Sequence, residues 1–276
     1  MAEAEAMRKL WYRMLSYLAG VVPGREPEAL RAGRTLRGYG RVNWWAAAGQ
    51  SALRRDLVAC AAAGVEIYTI EMAGWAESSV LRNEDRLREA CALYAWLVEQ
   101  CRALGLWLLV SIVNDNAGSG KYGDQGVSLA EAGGDLNALA ECVRKNGAKN
   151  VLVQPVAETR TDAGRAFVAH CVAVLNGFAL VNNAGSRPTG PGGMQHFAWH
   201  PFKVADIAGA PTGALVVSDT GSIVVELGGS LDGPGNPEKV KAFARAVRSR
   251  GCPAAVYYAF MRREHDGGAI EAMGAA

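Results

Sequence analysis

The sequence has no excess of either charge: its 29 basic and 27 acidic side chains nearly cancel. A field that weak gives no reason to expect a nucleic-acid partner. Nor is there a run approaching the roughly 18 uninterrupted apolar residues of a membrane span, so no membrane partner is expected. The six cysteines (Cys60, Cys91, Cys101, Cys142, Cys171 and Cys252) contain no C-x-x-C pair. Most fall on apolar stripes of candidate helices, where a thiol behaves as a small hydrophobe, so buried, reduced thiols are expected rather than a disulfide framework or a metal site. That usage favours folding in a reducing cytosol. The 33 glycines are scattered and the 10 prolines have no period, which excludes collagen-like and low-complexity chains. Half of the residues are hydrophobic and the net charge is only +2, which excludes disorder. The stretch from Leu10 to Val22 resembles an export leader faintly, but Arg13 interrupts it and Glu3 and Glu5 replace a basic start. An amphipathic helix is the better reading, with cytoplasmic synthesis and no signal peptide.

What the chain does have is a recurring unit: an amphipathic helix, a glycine, then a short apolar strand ending in polar or aromatic residues. Ser51 to Ala63 reads as a helix, Gly64 stops it, and Val65 to Glu71 follows as a strand. Leu87, Cys91, Tyr94, Leu97, Val98, Cys101 and Leu104 recur at helical spacing before Gly105 and the strand Leu106 to Val113. Leu136, Leu139, Ala140 and Val143 precede Gly147 and Asn150 to Ala157, and Val240, Phe243, Ala244 and Val247 precede Gly251 and Ala254 to Phe260. Each glycine is expected as a left-handed helix stop, and strands apolar on both faces belong to a buried parallel sheet. The remaining strands are placed at Gly40 to Trp45, Phe178 to Asn183, His196 to His200 and Ile223 to Glu226. Eight such units without a composition break predict an α/β chain folded as a (β/α)8 TIM barrel, in preference to an open doubly wound sheet. The predicted division is 1–35 as an N-terminal helical extension and 36–276 as a barrel catalytic domain.

In a parallel barrel the loops after the strands form one face, and catalysis is sited there. Those ends collect Asn43, Trp44 and Trp45; Glu71 and Trp75; Asn114, Asp115 and Asn116; and Gln154 and Glu158. Later strands add Asn182, Asn183, Trp199, His200, Glu226, Tyr257, Tyr258 and Arg262. Amides and carboxylates bind hydroxyl groups in pairs, while indole and phenol rings stack on the apolar faces of sugars. Such a mouth suits a carbohydrate partner. Trp44, Trp45, Glu71, Trp75, Asn114, Asp115, Trp199, His200 and Tyr258 are its candidate substrate contacts.

Glu158 and Glu226 stand out, each following a strongly hydrophobic strand, the predicted fourth and seventh. Two facing carboxyls about 5–5.5 Å apart, one protonated and one ionised, are what a retaining glycosidase needs. Each charge raises its neighbour's pKa and so makes an acid and a nucleophile from one residue type. The plainer alternative is that each glutamate pairs with an arginine such as Arg160 or Arg262.

With His200-Pro-Phe202 after strand six, these glutamates resemble the large clan of (β/α)8 retaining glycoside hydrolases that includes cellulases, mannanases and β-galactosidases. The resemblance implies Glu158 as acid/base, Glu226 as nucleophile, His200 in support, and no cofactor or metal. The clan usually carries asparagine before its acid/base and tryptophan after strand eight; this chain has Ala157 and Ala259-Phe260-Met261 there.

Other strings carry less. Asp219-Thr-Gly221 mimics an aspartic-protease turn, but one copy in an α/β chain cannot supply the second aspartate such an enzyme requires. Gly118-Ser-Gly-Lys-Tyr-Gly123 matches G-x-G-x-x-G without opening a helix directly after a strand. It reads as a loop over the mouth. No G-x-S-x-G elbow exists. His196 and His200, with Glu226 or Asp206, would make a metal site only with a clear third ligand, and none is apparent. The expected activity is therefore cleavage of a poly- or oligosaccharide by retaining double displacement. The alternative is a barrel that binds glycan without cutting it, or a structural part of a phage particle.

Overall fold

The computed structural model describes residues 35–42, 49–73, 80–115, 129–157, 159, 161–175, 178–183, 196–199, 223–228, 236–249, 254–260 and 267–276. Eight strands alternate with helices: β1 (Leu36–Val42), β2 (Ile67–Ala73), β3 (Trp107–Asn114), β4 (Val151–Ala157), β5 (Ala179–Asn183), β6 (His196–Trp199), β7 (Ile223–Gly228) and β8 (Ala254–Phe260). The described helices are α1 (Gly49–Ala63), α2 (Glu84–Ala103), α3 (Gly133–Asn146), α4 (Asp162–Val174), α5 (Pro237–Ser249) and α6 (Gly267–Gly274). Every neighbouring pair of strands is parallel, and β8 closes on β1. The fold is a (β/α)8 barrel. The predicted extension, residues 1–35, lies outside the described residues except for Thr35.

Helix starts follow from local chemistry. Asn83 caps α2 by accepting a hydrogen bond from the Arg86 N–H at 3.0 Å, and Glu84 and Asp85 place negative charge in the first turn. The buried stripe of α3 includes Leu136, Leu139, Ala140 and Val143; that of α5 is Val240, Phe243, Ala244 and Val247. These are the predicted faces. They pack on the outside of the sheet in one core that also holds Tyr39 and Tyr257, whose rings stack at 6.3 Å. A second, smaller cluster fills the barrel interior: Leu36, Ile67, Leu109, Leu152, Ala254 and Val256, with Trp107 against it. It is a packed core rather than a pore, as this closure demands.

Two expectations need correction. The first strand runs Leu36–Val42 rather than Gly40 to Trp45. Its glycines look like loop residues, but a Cβ at Gly38 would stand 2.8 Å from Val256 Cγ2 and 3.2 Å from Ile67 Cβ. The interior is narrow there, and only a missing side chain fits. Gly64 and Gly105 are left-handed, with φ of 78° and 70°, as expected of helix stops. Gly147 is not: its φ of −73° is open to any residue. It is glycine because a Cβ would collide with the Phe178 ring. Gly251 lies outside the described residues.

Candidate functional site

The register builds the mouth upward from the apolar interior. Thr69 of β2 lies beside Leu109, and Leu109 beside Leu152; one pleat further on, Glu71 lies beside Ser111, and Ser111 beside Gln154. Side chains on the same parity as an interior residue share its face. Three polar groups therefore stand in one row above the hydrophobic plug. Ser111 Oγ donates a hydrogen bond to Gln154 Oε1. Gln154 Nε2 is buried with no hydrogen-bond partner. Burying a polar N–H without a partner costs roughly 1–3 kcal/mol, so the arrangement is kept at a penalty.

Exposures of 4% for Glu71, 6% for Ser111 and 1% for Gln154 make this row a floor. Glu71 is the fifth residue of the seven-residue β2, not its last, because that strand ends at Ala73. Its predicted place on the rim is therefore corrected to one below it. Ser111 was missed by the sequence reading. The available signal was a single hydroxyl in the middle of Trp-Leu-Leu-Val-Ser-Ile-Val-Asn, and a single amide answers it in Val-Leu-Val-Gln-Pro-Val-Ala.

Asp115 is also reassigned. It is 7% exposed. Its Oδ2 accepts from the Thr161 N–H at 2.6 Å and its Oδ1 from Thr161 Oγ1 at 2.7 Å. Thr161 Oγ1 in turn accepts from the Gly164 N–H at 3.0 Å, capping α4. A Cβ on Gly164 would strike the Asp115 carboxylate. The carboxylate thus ties the end of β3 to the start of α4, where the helix dipole favours negative charge. Both oxygens accept hydrogen bonds that hold this junction. Asn114, the last residue of β3, is partly exposed.

On the other side of the barrel the register places backbone positions. Glu226 of β7 lies beside Val256 of β8, and Val256 belongs to the interior cluster. Tyr258 lies beside Gly228 and Gly40, two positions further along the same row set. Trp199 differs: it lies beside Val225, and Val225 beside Ala255, which belongs to the outer core. That row is one step off the interior one. The backbone position of Trp199 therefore falls on the alternate row. Glu158, Trp44, Trp45, Trp75 and His200 lie outside the described residues. Glu158 directly follows Ala157, the last residue of β4.

Among the described residues no group of three or more histidine, cysteine, aspartate or glutamate side chains could hold a metal ion. No described helix is long and apolar enough to cross a membrane. A groove of about 810 Å³ lies elsewhere, on the outer surface of α1 and α2. It is lined by Gln50, Arg54, Arg55 and Trp96, with the Arg54 guanidinium 5.8 Å above the indole ring.

No protein-family model matches the sequence, and no curated protein matches it. Solved structures do resemble the fold. One is a glycoside hydrolase family 5 protein from Bacteroides vulgatus ATCC 8482, with a TM-score of 0.59 and 9% identity. The match covers 82% of this chain and 61% of that one, so the chain spans less than two thirds of that protein. Another is a family 5 glycoside hydrolase from Prevotella bryantii B14, solved with a xyloglucan tetradecasaccharide. It has a TM-score of 0.58 and 12% identity, over 90% of this chain and 97% of that one. A third is the homocysteine methyltransferase MmuM of Escherichia coli, with a TM-score of 0.57 and 10% identity, over 91% and 99%. A hydrolase and a methyltransferase match about equally well. The likeness is one of barrel architecture, and function has to be argued from the site.

Proposed function

We propose that the protein is a glycoside hydrolase that cleaves a poly- or oligosaccharide by a retaining, two-glutamate mechanism. The observation that carries the reading is the register of β7: Glu226 occupies the row of Val256, on the side of the barrel interior, near the C-terminal end of its strand. Continuing the alternation of β4 would give position 158 the parity of Leu152 and Gln154. Two carboxylates on strands four and seven would then share one mouth. The Prevotella bryantii protein, whose structure contains a xyloglucan oligosaccharide, supports a glycan as the ligand class.

In this mechanism the Glu226 carboxylate attacks the anomeric carbon while protonated Glu158 gives its proton to the leaving oxygen. Glu158 then deprotonates the water that releases the glycosyl-enzyme. No cofactor or metal takes part. Gln154, with its unpaired Nε2 on the floor, would offer a donor to a sugar hydroxyl, and Tyr258 and Asn114 would extend the contacts. Trp44, Trp45, Trp75 and His200 are proposed as further subsite residues.

The test is covalent trapping with a mechanism-based fluoroglycoside, followed by peptide mapping. Labelling on Glu226 supports the proposal. Hydrolysis of an activated aryl glycoside that survives in Glu226→Ala removes it. A second reading is favoured by Ala157, which stands beside Asn114 in register where the resembling clan carries asparagine. In that reading the barrel binds glycan without cleaving it: oligosaccharide binding would be measurable by calorimetry, and no labelling would occur.

A further inference from the structure

Between α1 and α2 the outer ring of helices is furrowed by the groove of about 810 Å³. Small side chains make it: Ala59 and Ala62 on α1 leave room that longer ones would fill, and Trp96 lines it from α2. Ser51, Arg55, Val58 and Ala62 recur three or four residues apart and so share one face of α1. From Gln50 to Ala62 the lining follows about 18 Å of helix.

Two features set this face apart. Val58 is 52% exposed, and with Leu104 it makes up the exposed large hydrophobic side chains among the described residues. Arg54 and Arg55 are exposed as well, and among the described residues neither has an ion-pair partner. Arg54 lies 5.8 Å over the Trp96 ring instead. Other exposed arginines are paired on their own helices: Arg88 with Asp85, Arg102 with Glu99, Arg144 with Glu141 and Arg165 with Asp162. Among the described residues no acidic side chain lines the groove. The two features are also separated along its length. Gln50, Ser51, Arg54 and Arg55 lie toward the N-terminal end of α1, and Val58, Ala59 and Ala62 toward its C-terminal end.

The occupant that matches has the opposite arrangement. Carboxylates answer guanidinium groups, and apolar side chains take Val58 out of water. A small anion would use the arginines and leave Val58 uncovered; a wholly apolar surface would desolvate two charges without pairing them. A helix of about three turns spans the length available. We propose that the groove docks an acidic amphipathic helix of a partner protein, with carboxylates over Arg54 and Arg55 and apolar side chains over Val58, Ala59 and Ala62. Charge at one end and apolar surface at the other fix the direction in which the helix lies. This inference is independent of the proposed hydrolysis.

The test titrates the full-length protein into a fluorescein-labelled synthetic peptide of about 16 residues, a length able to form a helix. The peptide carries glutamates in its first turn and leucine and alanine at helical spacing after it; a twin carries lysine in place of every glutamate. Fluorescence anisotropy should show saturable binding of the glutamate peptide, roughly tenfold or more tighter than its twin and weakened by salt. Hydrogen exchange on binding should slow within residues 50–62. Arg54→Glu combined with Arg55→Glu should weaken binding by roughly tenfold or more, and Val58→Asp should do the same. Equal binding of the two peptides by the wild-type protein overturns the proposal, and so does binding of neither. It is also overturned if sedimentation velocity shows a dimer that Val58→Asp dissociates, because the occupant is then a second copy of this chain. The peptide comparison is made on the wild-type protein, so a variant that fails to fold does not protect the proposal.

Discussion

The two halves of the barrel are built differently. Strands β2, β3 and β4 run for seven, eight and seven residues, and all their positions but the two ends of β3 are buried. Strands β5, β6 and β7 run for five, four and six. The long strands carry the polar floor and, with β1 and β8, the hydrophobic plug; of the helices that follow them, α2 and α4 are capped by side chains and all three have buried apolar stripes. The short ones include β7, where Glu226 lies beside Val256 in register. Under the proposed function, the long strands would serve as the platform and the briefer arc would carry one of the two reacting groups.

The sharpest way to test that division is to compare one truncation from each half. Glu226→Ala should lower turnover of a glycan by roughly 10³-fold or more while the thermal midpoint stays close to that of the parent protein. Leu152→Ala, in the interior plug, should do the reverse, with a loss of about 2–5 kcal/mol in denaturant unfolding. If both substitutions fell on stability alone, the division would fail.

Asp115 comes next. Asp115→Ala removes both hydrogen bonds that its buried carboxylate accepts from Thr161, at a cost of roughly 1–3 kcal/mol. Measured by denaturant titration, the loss should appear without a change in KM, since the carboxylate serves α4 and not the ligand. Gly147→Ala should cost about 1–3 kcal/mol through the collision with Phe178. A neutral result in thermal unfolding would mean that Phe178 moves aside.

The smallest effect concerns Glu141. Hydrogen bonds from Arg144, with Lys145 assisting, hold its carboxyl below the usual 4.5, at about 2. A lowered carboxylate adds stability above its unfolded pKa and loses it as pH falls toward the folded value, here between about 4.5 and 2. The side chain is exposed and solvent screens the pair. Glu141→Gln should therefore lower the unfolding midpoint only slightly near neutral pH, and that small difference from the parent protein should vanish as pH falls from about 4.5 toward 2.

Much of this was legible beforehand. The eight strands, the helix stripes of α3 and α5, and the stops at Gly64 and Gly105 follow from periodicity and from glycine's freedom at positive φ. What escaped was decided by neighbours. Gly147 looked like Gly64, but its cause is a phenyl ring thirty-one positions away in the next repeat (Phe178). Gly38 fell outside the expected first strand, because nothing local announces how narrow a closed barrel is.

The site divides along the same line. That acids, amides and aromatic rings gather after the strands is a property of the chain's order, since each repeat delivers its own end to the same rim. Which of them face the interior is a matter of register, and one step reverses it. Asn114 ends its strand while Asp115, the next residue, turns to cap α4; Trp199 and its neighbour Ala198 fall in opposite rows. Local preference writes strands and helices because the forces behind them act over three or four residues. The pairing of Ser111 with Gln154 was decided by tertiary structure, because only the packed sheet sets β3 beside β4 and chooses the pleat they share.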